Sequence, residues 1–206
     1  MYSKKWLLPI LAAGGSLMAQ SMGDLNGLAS TAARFLSHGL AGTQGRPTLA
    51  LCKMKGDNGP NPALLMTRGI DVVHWTFLYR AEPTPATGAD SPAAGANTSD
   101  EDAIVLPKNS VTVQSKRGIF GDFQYSPAKV LDAKPVEYAW IAISLDDAIR
   151  QLNYNGYARG FSTVTLVRPA DNKYPDEYVY VFDCPWERTR VALSSQTGAL
   201  TWTERY

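Results

Sequence analysis

Residues 144–203 read SLDDAIRQLNYNGYARGFSTVTLVRPADNKYPDEYVYVFDCPWERTRVALSSQTGALTWT, and their patterning sets the expected fold. Leu145, Ala148, Ile149 and Leu152 fall at i, i+3, i+4 and i+7, the apolar stripe of an amphipathic helix. Ser144 stands before the stripe as an N-cap. Its hydroxyl can satisfy an orphan backbone N–H, while Asp147, three residues on, reaches back and favours the positive end of the helix dipole. Asn155 and Gly156 supply a stop signal. The period then changes from 3.6 to 2. Strands are expected at 162–167 and 177–183, followed by a hairpin of 190–193 with 199–203 around Gln196, Thr197 and Gly198.

Towards the N-terminus the same order recurs. Leu25, Leu28, Ala29, Ala32, Phe35 and Leu36 form a second helical stripe, with Asp24 as a cap and Gly39 near its end. Strands are expected at 47–54 and 72–79, then at 110–115 and 121–125 around Lys116, Arg117 and Gly118. This order predicts an α+β chain of two tandem units, each one helix packed on an antiparallel sheet of about four strands. The first unit takes residues 20–130 and the second 131–206. Residues 130–143 link the two and are able to pair as a strand. Within the first unit, residues 81–102 are rich in Pro, Ala, Gly, Ser and Thr and carry five acids without a base. Such a stretch buries too little apolar surface to order itself, so a mobile acidic loop is expected.

The second unit resembles a PepSY domain. SLDDAIRQL (144–152) is similar to the capped helix of that family, EYVYVF (177–182) to its central strand, and VALSSQTGALTW (191–202) to its closing hairpin. Thr197 and Gly198 keep the family's TG pair. Ser194 or Ser195 stands where the family has an acid, and Cys184, Pro185 and Trp186 interrupt a segment where a Gly-centred turn is common. The tandem layout is similar to that of the β-lactamase inhibitor protein. Both resemblances imply an extracytoplasmic protein that binds or inhibits other proteins.

Export has its own signal in the sequence. Lys4 and Lys5 precede an apolar run from Trp6 to Ala13, and small residues continue through Gly14, Gly15, Ser16 and Ala19. This reads as a signal peptide over residues 1–19 and places the protein outside the cytoplasm, secreted or periplasmic. The run is too short to span a membrane, and no later stretch qualifies as a transmembrane segment. With 20 Lys and Arg against 19 Asp and Glu the net charge is +1, which gives no field suited to nucleic acid or an anionic membrane.

Chemistry-bearing residues are scarce. Cys52 and Cys184 are the two cysteines, one in each half; in an exported chain they either form a disulfide or stay as buried thiols. With His38 and His74 they fit no metal-ligand spacing, so no metal and no cofactor is expected. A thiol or serine nucleophile would need one of these histidines beside it, and neither sits in a recognised motif. Asp146 and Asp147 fall in the first turn of a helix, where the dipole accounts for them. The glycine patterns of phosphate-binding loops, dinucleotide-binding turns and nucleophile elbows are missing from the sequence. No catalytic residue is assigned.

Aromatic residues carry the candidate site. Alternation puts Trp75, Phe77 and Tyr79 on one face of one strand, and Tyr178, Tyr180 and Phe182 on one face of another. If the helices cover the opposite faces, these rings form an open surface for a protein partner. If the rings are core, Val179, Val181 and Asp183 face outward instead. The expected function is a non-catalytic binding or inhibitory protein. The alternatives are a secreted hydrolase with a site between the units, and a structural subunit of an envelope assembly.

Overall fold

Helix α1 runs over Leu25–Leu40 and helix α2 over Leu145–Tyr154 in a computed structural model that describes residues 25–40, 48–59, 64–82, 109–126, 133–137 and 141–206. At the start of α2 the capping box forms as its sequence dictates. Ser144 Oγ accepts from Asp147 N–H at 3.1 Å, and Asp147 Oδ2 accepts from Ser144 N–H at 3.3 Å. Leu145, Ala148, Ile149 and Leu152 are all buried. On α1 the buried stripe is Leu25, Ala29, Ala32 and Leu36, while Phe35 lies at its margin and stacks on Phe120 at 5.7 Å.

The strands are β1 (Thr48–Asp57), β2 (His74–Glu82), β3 (Asn109–Lys116), β4 (Ile119–Ser126), β5 (Ala133–Lys134), β6 (Thr163–Pro169), β7 (Val179–Cys184), β8 (Thr189–Ser194) and β9 (Leu200–Arg205). Every pairing is antiparallel, and the spatial order is β4-β3-β2-β1-β6-β7-β8-β9, with β5 set against β6. The β3–β4 turn is tight because Arg117 and Gly118 both take positive φ, 51° and 80°. That is the turn twist that flanking strands accept most readily.

The expectation of two tandem helix-on-sheet units is corrected by the pairing of β1 with β6. Lys53 to Asp57 run antiparallel to Val167 to Thr163, so the described strands build one nine-stranded sheet. Both helices contribute to one buried cluster with Met54, Trp75 and Phe77 from one half and Leu166, Tyr180 and Phe182 from the other. The physical reason lies in the edges. A solitary four-stranded half would leave a row of unpaired backbone groups along β1 or β6, and joining the two rows removes both liabilities. The residues meet in phase: Met54 pairs with Leu166 and Gly56 with Val164, all buried. Beyond Lys53 the two strands part. The segment carrying β5 enters there, with Ala133 and Lys134 on Pro169 and Arg168, and Val136 N–H donating to Leu51 O at 2.6 Å. The expected signal peptide lies outside the described residues. So does the acidic loop, except that residues 81 and 82 belong to β2.

Gly56 keeps the seam closed on the β2 side. It pairs with Trp75, whose ring lies over the bare glycine backbone; a Cβ there would sit 2.9 Å from that ring and 2.5 Å from Val72 Cγ1. Gly56→Ala therefore overpacks the core. It is expected to destabilise the protein by about 1–3 kcal/mol, lowering the thermal midpoint by roughly 2–4 °C for each of them. A melt indistinguishable from wild type would contradict the packing of Trp75 on β1.

Candidate functional site on the helix-free sheet face

The six aromatic residues expected to form an open binding surface are core residues. Trp75, Phe77, Tyr79, Tyr178, Tyr180 and Phe182 are each no more than 5% exposed and belong to the cluster beneath the helices. Their polar atoms explain how this is stable, because a buried phenol needs a partner. Tyr79 Oη donates to Ala29 O of α1 at 2.8 Å, and Tyr180 Oη donates to Ile143 O, just before α2, at 2.9 Å. Tyr178 Oη donates to Pro135 O at 3.3 Å and accepts from Glu137 N–H at 3.1 Å. The Tyr79 and Tyr180 hydroxyls strap the sheet to α1 and to the start of α2, and the Tyr178 hydroxyl ties the entry to β7 to the segment after β5.

The solvent face is consequently the other one, and the ladder registers describe it as rows of side chains crossing the strands. One row runs Lys116, His74, Asp57, Thr163, Asp183, Arg190, Glu204. The next runs Gln114, Thr76, Lys55, Thr165, Val181, Ala192, Trp202. At ~4.8 Å per strand, the span from Lys55 to Trp202 is about 19 Å. Between them lies an open groove of about 480 Å³ floored by Thr163, Thr165, Val167 and Val181. A small apolar cluster of Cys52, Ala133, Val167, Val179 and Ala192 supports it. Sequence alternation carried a signal for this face: Lys53, Lys55 and Asp57 are polar while Met54 and Gly56 between them are not, and Thr163 and Thr165 flank Val164 in the same way.

The connection from β6 to β7 walls one end of the groove. Tyr174 packs on Trp202 with ring centroids 4.5 Å apart. Lys173 sits 5.1 Å over the Tyr174 ring and reaches Glu204 at 2.8 Å, which holds the Glu204 carboxyl below its usual range. Trp202 Nε1 is shielded from solvent and has no acceptor among the described residues. The same connection is clamped at its far end, where Arg168 and Lys134 both hold Asp176, at 2.9 and 2.7 Å. At the opposite end of the groove, Tyr206 Oη donates to Asp183 and the Tyr206 ring lies 5.6 Å from the Arg190 guanidinium.

The cysteines and histidines do not converge. Cys184 is in the helix-side core and Cys52 in the cluster on the other face, so the possible Cys52–Cys184 disulfide is corrected: the thiols lie on opposite sides of the sheet. Burial pushes the Cys184 thiol up to about 12, with the Glu187 and Asp183 carboxylates adding to it, which keeps it protonated at neutral pH. His74 lies 3.1 Å from Asp57, and His38 is exposed on α1. No described helix is long and apolar enough to cross a membrane.

No protein-family model and no curated protein matches the chain. Among solved structures, a protein of Clostridium difficile 630 described as a candidate lipoprotein superposes with a TM-score of 0.48 at 8% identity, over 85% of this chain and 91% of that one. A likeness of that size establishes neither family nor function.

The Asp176 clamp has a defined pH response. Its carboxyl is held down from the usual 3.8 to about 2, first by Arg168 and then by Lys134. A group depressed on folding stabilises the protein above its unfolded value and loses that contribution as pH falls through its folded value. The stability difference between wild type and Asp176→Asn in urea titrations is thus expected to be largest above about pH 4 and to shrink towards pH 2. A difference constant across that window would contradict the clamp.

Proposed function

We propose that the chain is an exported, non-catalytic binding protein that captures a protein partner on the helix-free face of its sheet. One observation carries the reading: among the described residues one face of a continuous sheet has no helix on it and instead carries rows of mixed polar, charged and aromatic side chains from Lys116 to Glu204 and from Gln114 to Trp202. The groove there is open and elongated, unlike the enclosed, mainly apolar pockets that take small molecules. Its Trp, Tyr and Arg residues are the types that concentrate binding energy between proteins. The targeting pattern of residues 1–19 supports export, and the resemblance of residues 144–203 to a PepSY domain favours the same functional class.

Site-specific photocrosslinking tests the reading. A crosslinker at Thr165, in the groove, is expected to trap a partner from the extracytoplasmic fraction that one at Gln151, exposed on α2, does not. Trp202→Ala is expected to weaken that partner's binding by about 2 kcal/mol, roughly thirtyfold, with the folded far-UV spectrum retained. The same adduct from both positions, or from Gln151 only, would contradict the assignment of the face.

A further inference from the structure

Between Pro169 and Tyr178 the chain turns back onto the helix-free face, where Asp171 and Tyr174 line the groove. The backbone hydrogen bonds of this connection close on itself: Tyr174 N–H donates to Asp171 O at 3.2 Å and Glu177 N–H to Pro175 O at 2.9 Å. Two side chains fasten it to β9. The Tyr174 ring packs on Trp202 at 4.5 Å, and Lys173 Nζ reaches Glu204 at 2.8 Å, with the Tyr174 hydroxyl 3.4 Å from the same carboxylate. At the other end Asp176 is anchored twice, by Arg168 and by Lys134. The Tyr174 end is held more weakly. The Lys173 and Glu204 side chains are 61% and 33% exposed, and ion pairs in such positions contribute little. Asp171, Asn172 and Lys173 are all exposed, so few apolar contacts resist movement of this turn. The closed arrangement also leaves a donor unsatisfied. Trp202 Nε1, on the residue that Tyr174 covers, is shielded from solvent and has no acceptor among the described residues. A shielded N–H without a partner is unfavourable, and lifting the turn returns it to water. Beneath Trp202 lies the apolar cluster of Cys52, Ala133, Val167, Val179 and Ala192, against which the indole packs.

Building on the reading of this face as the recognition surface, we propose that the β6–β7 connection is a lid: Tyr174 and Lys173 close over Trp202 in the free protein and swing away about the Asp176 anchor when the partner docks. In the closed form Tyr174 occupies the place on the Trp202 ring that a side chain of the partner takes. The partner therefore competes with a segment of this chain, and its apparent affinity is lowered by the fraction of molecules that are closed. Closure also keeps Trp202 and the apolar cluster under it from standing bare on the surface, where an aromatic patch is a liability.

Solvent exchange of the Trp202 indole N–H in the full, isotope-labelled chain reads the lid by nuclear magnetic resonance, the resonance being identified by its loss in Trp202→Phe. Exchange is expected to proceed through a local opening, faster than that of the Tyr180 and Phe182 amides and nearly independent of urea. Lys173→Ala should speed it about threefold and Tyr174→Ala about tenfold, with the Tyr180 and Phe182 amides little changed. Exchange of the Trp202 N–H only through global unfolding, or at the wild-type rate in Lys173→Ala and Tyr174→Ala alike, overturns the lid. In the photocrosslinking experiment Tyr174→Ala should raise the yield of the Thr165 adduct at limiting protein by about twofold or more. An unchanged or lower yield overturns the competition between Tyr174 and the partner. Absence of any Thr165 adduct removes the recognition face, and the exchange rates then decide the lid by themselves.

Discussion

Five residue pairs between β1 and β6, Lys53–Val167 to Asp57–Thr163, hold the two halves of this chain in one sheet. Everything else in the molecule is arranged around that seam. It brings α1 and α2 to the same side, so that one core forms beneath both. It also fixes the helix-free face, because Lys55 can stand beside Thr165 only if the strands carrying them pair in this register. A shift of one residue would turn Met54 and Leu166 outward and bury Lys53 and Lys55, which no partner in an apolar core could compensate. The register is therefore strongly determined by burial.

Much of the local structure was legible in the sequence. The stripe Leu145–Ala148–Ile149–Leu152 and the Ser144 cap locate α2, and the Lys116-Arg117-Gly118 turn locates the β3–β4 hairpin, because these signals act between residues a few positions apart. The seam was not legible. It joins residues more than 100 positions apart, and an unpaired edge in one half gives no local sign of what will cover it. The aromatic faces were misread for a related reason. Strand alternation separates Tyr180 and Phe182 from Val179 and Val181 but does not say which set the helix covers, since both are apolar. The deciding facts are the acceptors of the tyrosine hydroxyls, Ala29 O and Ile143 O, which belong to the helical layer. The polar alternation at Lys53, Lys55, Asp57, Thr163 and Thr165 is the local signal in the sequence that marks the side of the seam away from the core.

The face so created is chemically organised and not a neutral exterior. Aromatic and ionic contacts fasten the β6–β7 connection and Tyr206 across the ends of the groove, using Tyr174, Lys173, Glu204, Tyr206 and Asp183 among themselves. On the seam strands Arg168 is held by Asp176, while Lys55 is exposed.

The central claim is that the seam makes one cooperative body of the two halves. Native-state hydrogen exchange in increasing urea measures it directly, amide by amide. The expected result is that the β1 and β6 amides of the seam exchange only through global unfolding, with the same opening free energy and urea dependence as the interior amides of β2 and β7. Exchange of the seam through a smaller, separate opening, with β7 and β8 still protected, would show two independently stable units and contradict the account.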